Sequence, residues 1–213
     1  MRRLRRLRSR RGQSLVEFAL ILPVLMFLVL GMVEMGFAIS HDTSIVTATR
    51  QGARVGSELV DGTNRKGLNP QSAASDSVDP QIIGAVEGVL ISPGSPVNIS
   101  QVQSIQIFLA DSTTGAITGS VNTWIPAPGH AGPLLPGSSP PEYLDFKPQS
   151  GGTWNTWTRS GAATVQSIGG KITYTYQFIT PLGSLIKMVG GSLFGSGTIT
   201  MSDQTIMAME PPQ

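Results

Sequence analysis

The sequence predicts an α+β protein in which one long amino-terminal helix spans a membrane and carries an exported, mostly antiparallel β-rich domain. Three observations predict it. Residues 18–39 form an apolar run broken only by Pro23 and Glu34. Ile45, Ala48, Gly52, Val55 and Leu59 then continue at helical spacing. Beyond Val97 the periodicity changes to the two-residue alternation of strands.

The chain opens with a basic leader, residues 1–12. Seven of its 15 basic residues precede Gly12, with no acid among them. A cluster of this kind can bind nucleic acid, mark an address or hold a chain end in the cytoplasm. Because it abuts a membrane-length run, the positive-inside rule favours the third reading, with Arg2–Arg11 inside and Ser40 onward exported. Without the leader, 8 basic residues face 13 acidic ones. The remainder is therefore acidic and has no basic stripe, which argues against a nucleic-acid partner.

Residues 13–40 form the membrane segment. The 22 residues from Phe18 to Ile39 span roughly 33 Å as a helix, enough for a hydrocarbon core of about 30 Å. A cleavable secretory signal has an apolar region of about 7–15 residues and a small-residue exit; this run is longer, and Met35–Ile39 offers no such exit, so a retained helix is expected. Glu17 and Glu34 lie 17 residues apart, roughly 25 Å along the axis. Glu34 reads as a side chain reaching for the outer interface. Glu17 is harder to explain that way, because an ordinary anchor has no use for a carboxylate five residues after a glycine. Charge in a membrane marks function by default. Pro23 removes one helical hydrogen bond and is either a kink or a tolerated membrane proline.

Residues 41–60 continue the helix outside the membrane. Gly52 and Gly56 form a GxxxG that allows close backbone approach, read here as packing against the chain's own domain. Arg50 and Arg54 share a face and can pair with Glu58, with domain acids or with another subunit. The exported domain covers residues 61–213. Asp61–Gly67 reads as a loop. Asp79–Pro80 reads as an N-cap and a first-turn proline opening a short helix to about Ile91. Val97–Ala110 reads as a strand with a phase slip near Gln101–Val102, and Asp111–Gly115 as the turn to a second strand over about 116–125. Residues 126–150 hold seven prolines, and such a stretch is a functional loop, an ordered cover for the sheet, or poorly ordered. Trp154 and Trp157 read as a small core anchor. Lys171–Thr180 alternates cleanly, with Ile172, Tyr174, Tyr176 and Phe178 on one face. Pro181–Val189 reads as a short helix and Gly195–Met209 as a last strand or pair.

The chain has no cysteine and two distant histidines, His41 and His130, so neither disulfides nor a zinc site are expected. His41 reads as a solvated residue at the membrane edge. No cofactor is expected, and no nucleophile, P-loop or metalloprotease motif is present, so the chain reads as a non-enzyme. Asn98–Ser100 matches a glycosylation acceptor but falls on an expected buried strand.

The run Arg11–Pro23 (RGQSLVEFALILP) resembles the opening of the TadE-like family, the pseudopilins of the tight-adherence (Flp) pilus system. Gly31–Phe37 resembles the late glycine and glutamate of the family's membrane helix, and Ala48–Arg54 its alanine–arginine–glycine–alanine–arginine motif. His41–Asp42 departs from the hydrophobic residue common there. The resemblance implies leader cleavage between Gly12 and Gln13 by a prepilin peptidase, and a role for Glu17 as the assembly carboxylate. Glu34, Arg50 and Arg54 become candidates for a secondary interface. It further implies membrane lipid, the peptidase, other pilus subunits and assembly-platform proteins as partners. The alternative is an uncleaved single-pass protein with an exported binding domain, of the TadG-like accessory kind.

Overall fold

The computed structural model describes residues 12–59, 78–156, 159, 166–181, 183–184 and 198–209. Residues 1–11 of the basic leader, Asp61–Gly67, Trp157 and most of Pro181–Val189 lie outside them. Two compact units emerge, one of Met1–Ala38 with Gln177–Thr198, the other of Ile39–Tyr176 with Ile199–Gln213.

Helix α1 runs over Gln13–Glu58, 46 residues, and continues through Pro23. In the first unit its side chains from Leu15 to Met35 are largely exposed: Leu20 is 73% and Met32 74% accessible. An 18-residue window reaches a mean hydropathy of 2.6 with none of it buried, so the helix is long and apolar enough to cross a membrane. A contiguous apolar surface of this size marks a membrane or protein contact.

The second unit is the α+β domain expected. Helix α2 covers Val78–Leu90, and five strands follow: β1 Val102–Ala110, β2 Ile117–Pro126, β3 Phe146–Pro148, β4 Ser167–Gln177 and β5 Thr198–Ala208. The sheet order is β3-β2-β1-β4-β5, and the β1–β2, β1–β4 and β2–β3 pairs are antiparallel. The β1–β2 turn follows its sequence chemistry. The Asp111 carboxylate accepts from the Thr113 and Thr114 amides at 2.9 and 2.7 Å and from the Thr114 hydroxyl, and these bonds hold its carboxyl below the usual range. Gly115 completes the turn at φ +71°.

The core lies where the outer half of α1 and helix α2 meet one face of the sheet. Ile45, Ala48, Ala53, Ile82, Val86, Ile105, Ile107, Ile168 and Ile172 are all buried. Each of the isoleucine and valine side chains contributes about 1.5–3 kcal/mol on burial. The GxxxG packs inward as expected. A Cβ on Gly52 would stand 2.5 Å from Val86 Cγ2, and one on Gly56 2.6 Å from Ile168 Cδ1. Strand β4 alternates as expected, with Ile172, Tyr174 and Tyr176 buried, though it ends at Gln177 and leaves Phe178 outside it.

The phase slip expected near Gln101–Val102 is present, as a short 3-10 turn, Ile99–Gln101, followed by a register shift between Val102 and Ser104. Three expectations are corrected in detail. Asn98 therefore caps an exposed turn rather than sitting on a buried strand, its Oδ1 accepting from the Ser100 amide at 3.0 Å. Helix α2 starts at Val78, so Asp79 is inside its first turn and is buried rather than capping it. His41 is buried instead of solvated, with its ring 5.0 Å from that of Tyr176, edge-on, and 5.8 Å from that of Tyr174. Residues 126–150 cover the sheet. Leu144 and Phe146 are buried in them, Ala127, Gly132 and Leu135 donate to the backbone of Asp145, Leu144 and Glu142, and Leu144 donates back to Pro133.

Candidate functional site

The amino end of α1 collects the sequence-predicted residues. Gly12 forms the turn before the helix, and its carbonyl accepts the Val16 amide at 3.3 Å. A helix start leaves its first amides without helical acceptors and carries partial positive charge. The first turn holds no acid. Glu17 is the first carboxylate, one turn in, and it accepts from the Gln13 side-chain amide at 3.0 Å. Gly12, Gln13 and Glu17 are all exposed. The arrangement offers an open peptide bond at a glycine and an accessible carboxylate one turn beyond it.

Glu34 is not brought near Glu17, and its surroundings are different. It is 4% exposed, and its carboxylate accepts the Ile179 amide at 3.0 Å, the Thr180 amide at 2.9 Å and the Thr180 hydroxyl. The expected snorkelling side chain is thus a carboxylate sequestered by protein donors. The physical reason is cost. A carboxylate at membrane depth costs about 2.5–3.5 kcal/mol on insertion scales, whereas hydrogen bonds to a charged group each contribute roughly 1.5–3 kcal/mol. Three donors are enough to hold it.

Arg54 pairs with Glu58 at 3.2 Å, with the two side chains 67% and 44% exposed, so the pair adds little stability. Arg50 is exposed, and among the described residues no carboxylate lies within ion-pair distance of it. Both remain outward, on the face that the GxxxG does not use. Among the described residues no three His, Asp or Glu side chains gather as a metal centre requires.

Sequence reasoning misses one polar cluster altogether. Asp79 accepts from Arg159 Nη1 at 2.6 Å and from the Asn122 amide at 2.6 Å. The guanidinium lies 4.2 Å from the centroid of the Trp154 ring and is 1% exposed. Asn122 also exchanges two bonds with the Trp154 backbone, at 2.7 and 3.0 Å. Nothing local marks these residues as partners. For Glu34 there is a signal, because a buried acid in an apolar helix demands donors, though the sequence does not say which.

Residues 12–54 match the family model of TadE-like proteins. The match covers Gly12, Gln13, Glu17, Glu34, Arg50 and Arg54 together, and it supports involvement in a tight-adherence pilus system. No curated protein and no solved structure matches the chain.

Proposed function

We propose that this chain is a pseudopilin or minor pilin of a tight-adherence pilus, matured by cleavage between Gly12 and Gln13. The observation that carries the reading is the TadE-like match together with an exposed Gly12–Gln13 bond one turn ahead of Glu17. Hydrolysis adds water across that amide. Gly12 leaves as a carboxylate and Gln13 keeps an amine, which binds a proton near neutral pH. Glycine suits the peptidase because a backbone without a side chain enters a narrow site closely.

Cleavage also changes the helix end. The Gly12 carbonyl departs, so the Val16 amide loses its acceptor. The new terminus then combines a cation, free amides and the dipole's positive end. A Glu17 carboxylate, from this subunit or the next, is the matching anion. In lipid each charge alone is costly, and pairing offsets part of that cost. The pair would set one subunit's axial position against its neighbour. In this reading the basic leader stays cytoplasmic, the β-domain is extracytoplasmic, and Glu34, Arg50 and Arg54 belong to docking and secondary contacts. The chain acts through assembly, as a non-enzyme.

One observation favours the uncleaved, anchored alternative. In the uncut chain Glu17 already has a local partner, the Gln13 amide. The amino terminus of the protein recovered from membranes decides between them, read by intact mass. A start at Gln13, abolished by Gly12→Trp, is expected. A start at Met1 would favour the anchored binding protein. A start near residue 40 would remove both.

A further inference from the structure

We infer that the backbone segment Phe178–Pro181 is a second membrane-contacting element, held at the outer lipid boundary by the Glu34 carboxylate. The inference rests on α1 crossing a bilayer and is independent of whether the chain enters a pilus. Four observations carry it, all within the first compact unit.

The first is depth. Glu34 precedes Ile39, the end of the apolar run, by five residues, about 7.5 Å along the axis. Helical side chains tilt toward the amino end, so the carboxylate lies deeper than its own Cα. The amides of Ile179 and Thr180, 3.0 and 2.9 Å from that carboxylate, share its level. Beyond this level α1 still exposes Phe37 at 40%. The segment therefore sits inside the apolar band of the helix, not above it.

The second is hydrogen-bond satisfaction. Irregular backbone is excluded from lipid unless its polar groups are paired. Here the two amides and the Thr180 hydroxyl all go to Glu34. The next residue, Pro181, has no amide hydrogen to satisfy, and its carbonyl accepts from the Ser184 amide at 3.1 Å and from the Ser184 hydroxyl at 2.7 Å. The third is surface character. Ile179, between these donors, is 58% exposed. The fourth is grouping, since Phe178–Pro181 fall in the same compact unit as the membrane helix up to Ala38. A buried carboxylate, two backbone amides that it satisfies and an outward isoleucine at membrane depth fit a lipid surface. An aqueous loop needs none of them.

The absence of cysteine makes the test direct. Single-cysteine variants of the full chain, Ile179→Cys, Met26→Cys, Ile39→Cys and Asn98→Cys, would be spin-labelled and reconstituted in vesicles of phosphatidylethanolamine and phosphatidylglycerol. Accessibility to oxygen against a water-soluble nickel chelate reads depth. The expected result is a lipid signature at 179 matching that at 39, a deeper one at 26 and an aqueous one at 98. Adding Glu34→Ala should release 179 to water while 26 stays in lipid. An aqueous 179 with 26 still in lipid overturns the inference and leaves the membrane helix standing. An aqueous 26 removes the membrane reading itself. Retention of 179 in lipid with Glu34→Ala overturns the role of Glu34. The Ile179→Cys measurement stands alone if that variant does not fold.

Discussion

Replacing Arg159 with methionine should unfold the β-domain more easily than its single ion pair suggests. The guanidinium is 1% exposed, bonds Asp79 at 2.6 Å, and stacks on Trp154 at 4.2 Å. Its removal strands a carboxylate that is itself 3% exposed. Breaking a buried pair from one side costs about 3–5 kcal/mol. Asp79 keeps its bond from Asn122, so the lower end, about 3 kcal/mol, applies. For a domain of this size that lowers Tm by roughly 6–12 °C. The pair itself is less valuable than this loss implies, because taking two charges out of water is costly. Among the described residues Arg159 Nε has no acceptor, which adds to that cost. The double variant Asp79→Leu/Arg159→Met should therefore be more stable than either single variant. Asn122 would stay satisfied through its bond to the Trp154 carbonyl. The assay is thermal unfolding of the full chain in detergent, followed by tryptophan fluorescence and near-UV circular dichroism. Two results would refute the reasoning: Arg159→Met within about 0.5 kcal/mol of wild type, the range of ordinary surface changes, or a double variant as unstable as the sum of the singles.

Burial pushes the Glu87 carboxyl up to about 7 from 4.5, only partly offset by the Asp145 amide that bonds it. A raised acid pKa favours the folded state while the group is protonated, so this contribution is complete below pH about 4.5 and is lost as pH rises through about 7. Glu87→Gln keeps an acceptor for the Asp145 amide and needs no proton. It should raise stability at pH 8 by about 1–2 kcal/mol, after allowing for solvent screening, and flatten the pH profile of urea midpoints between 5 and 8; an unchanged slope would sink the assignment. Gly52→Val should cost about 1–3 kcal/mol by forcing Val86 aside, whereas Gly88→Ala on α2, with open space around it, should gain up to about 1 kcal/mol. Paired Tm measurements check both signs. Glu17→Ala should leave leader cleavage intact and reduce recovery of the subunit in sheared filaments, and equal recovery would dismiss the assembly role.

Elements whose pattern is local are legible in the sequence. The apolar run, the inward face through Ile45, Ala48 and Gly52, the alternation of β4 and the Asp111 turn are each set by residues within one element. What is not legible depends on partners far away along the chain. Asp79–Pro80 carries a helix-cap signature, and only the return of Arg159, 80 residues later, turns the carboxylate into half of a buried pair. His41 beside Asp42 looks solvated until Tyr174 and Tyr176 are folded against it. Proline density in residues 126–150 signals irregular backbone. It does not say that Leu144 and Phe146 anchor that backbone on the sheet. The candidate site divides in the same way, since Gly12, Gln13 and Glu17 are local neighbours and the Glu34 contact is not.

The carboxylates of the two helices separate by this criterion, and the separation accounts for how a chain without disulfides fixes its late segments. Glu17 and Glu58 are exposed and bond Gln13 and Arg54, each four residues away. Such pairs contribute a few tenths of a kcal/mol and constrain nothing beyond their own turn. Glu34, Asp79 and Glu87 are buried, and each receives donors from the far side of the sequence: Ile179 and Thr180, Arg159 and Asn122, and the Asp145 amide. Thr49 and Asp203 repeat the device with the acid on the late strand. Apolar contacts alone do not specify which loop residue meets which helix turn, because they are non-directional. A buried carboxylate does, because leaving it without its donors costs more than the bond itself contributes. It follows that the charge-neutral variants Glu34→Gln, Asp79→Asn and Glu87→Gln should differ from the alanine variants at the same positions. The amides retain an acceptor and should keep each late segment in place, as read by proteolysis of the loops. Alanine should release them. Identical cleavage patterns for the two series would show that apolar packing holds those segments without help.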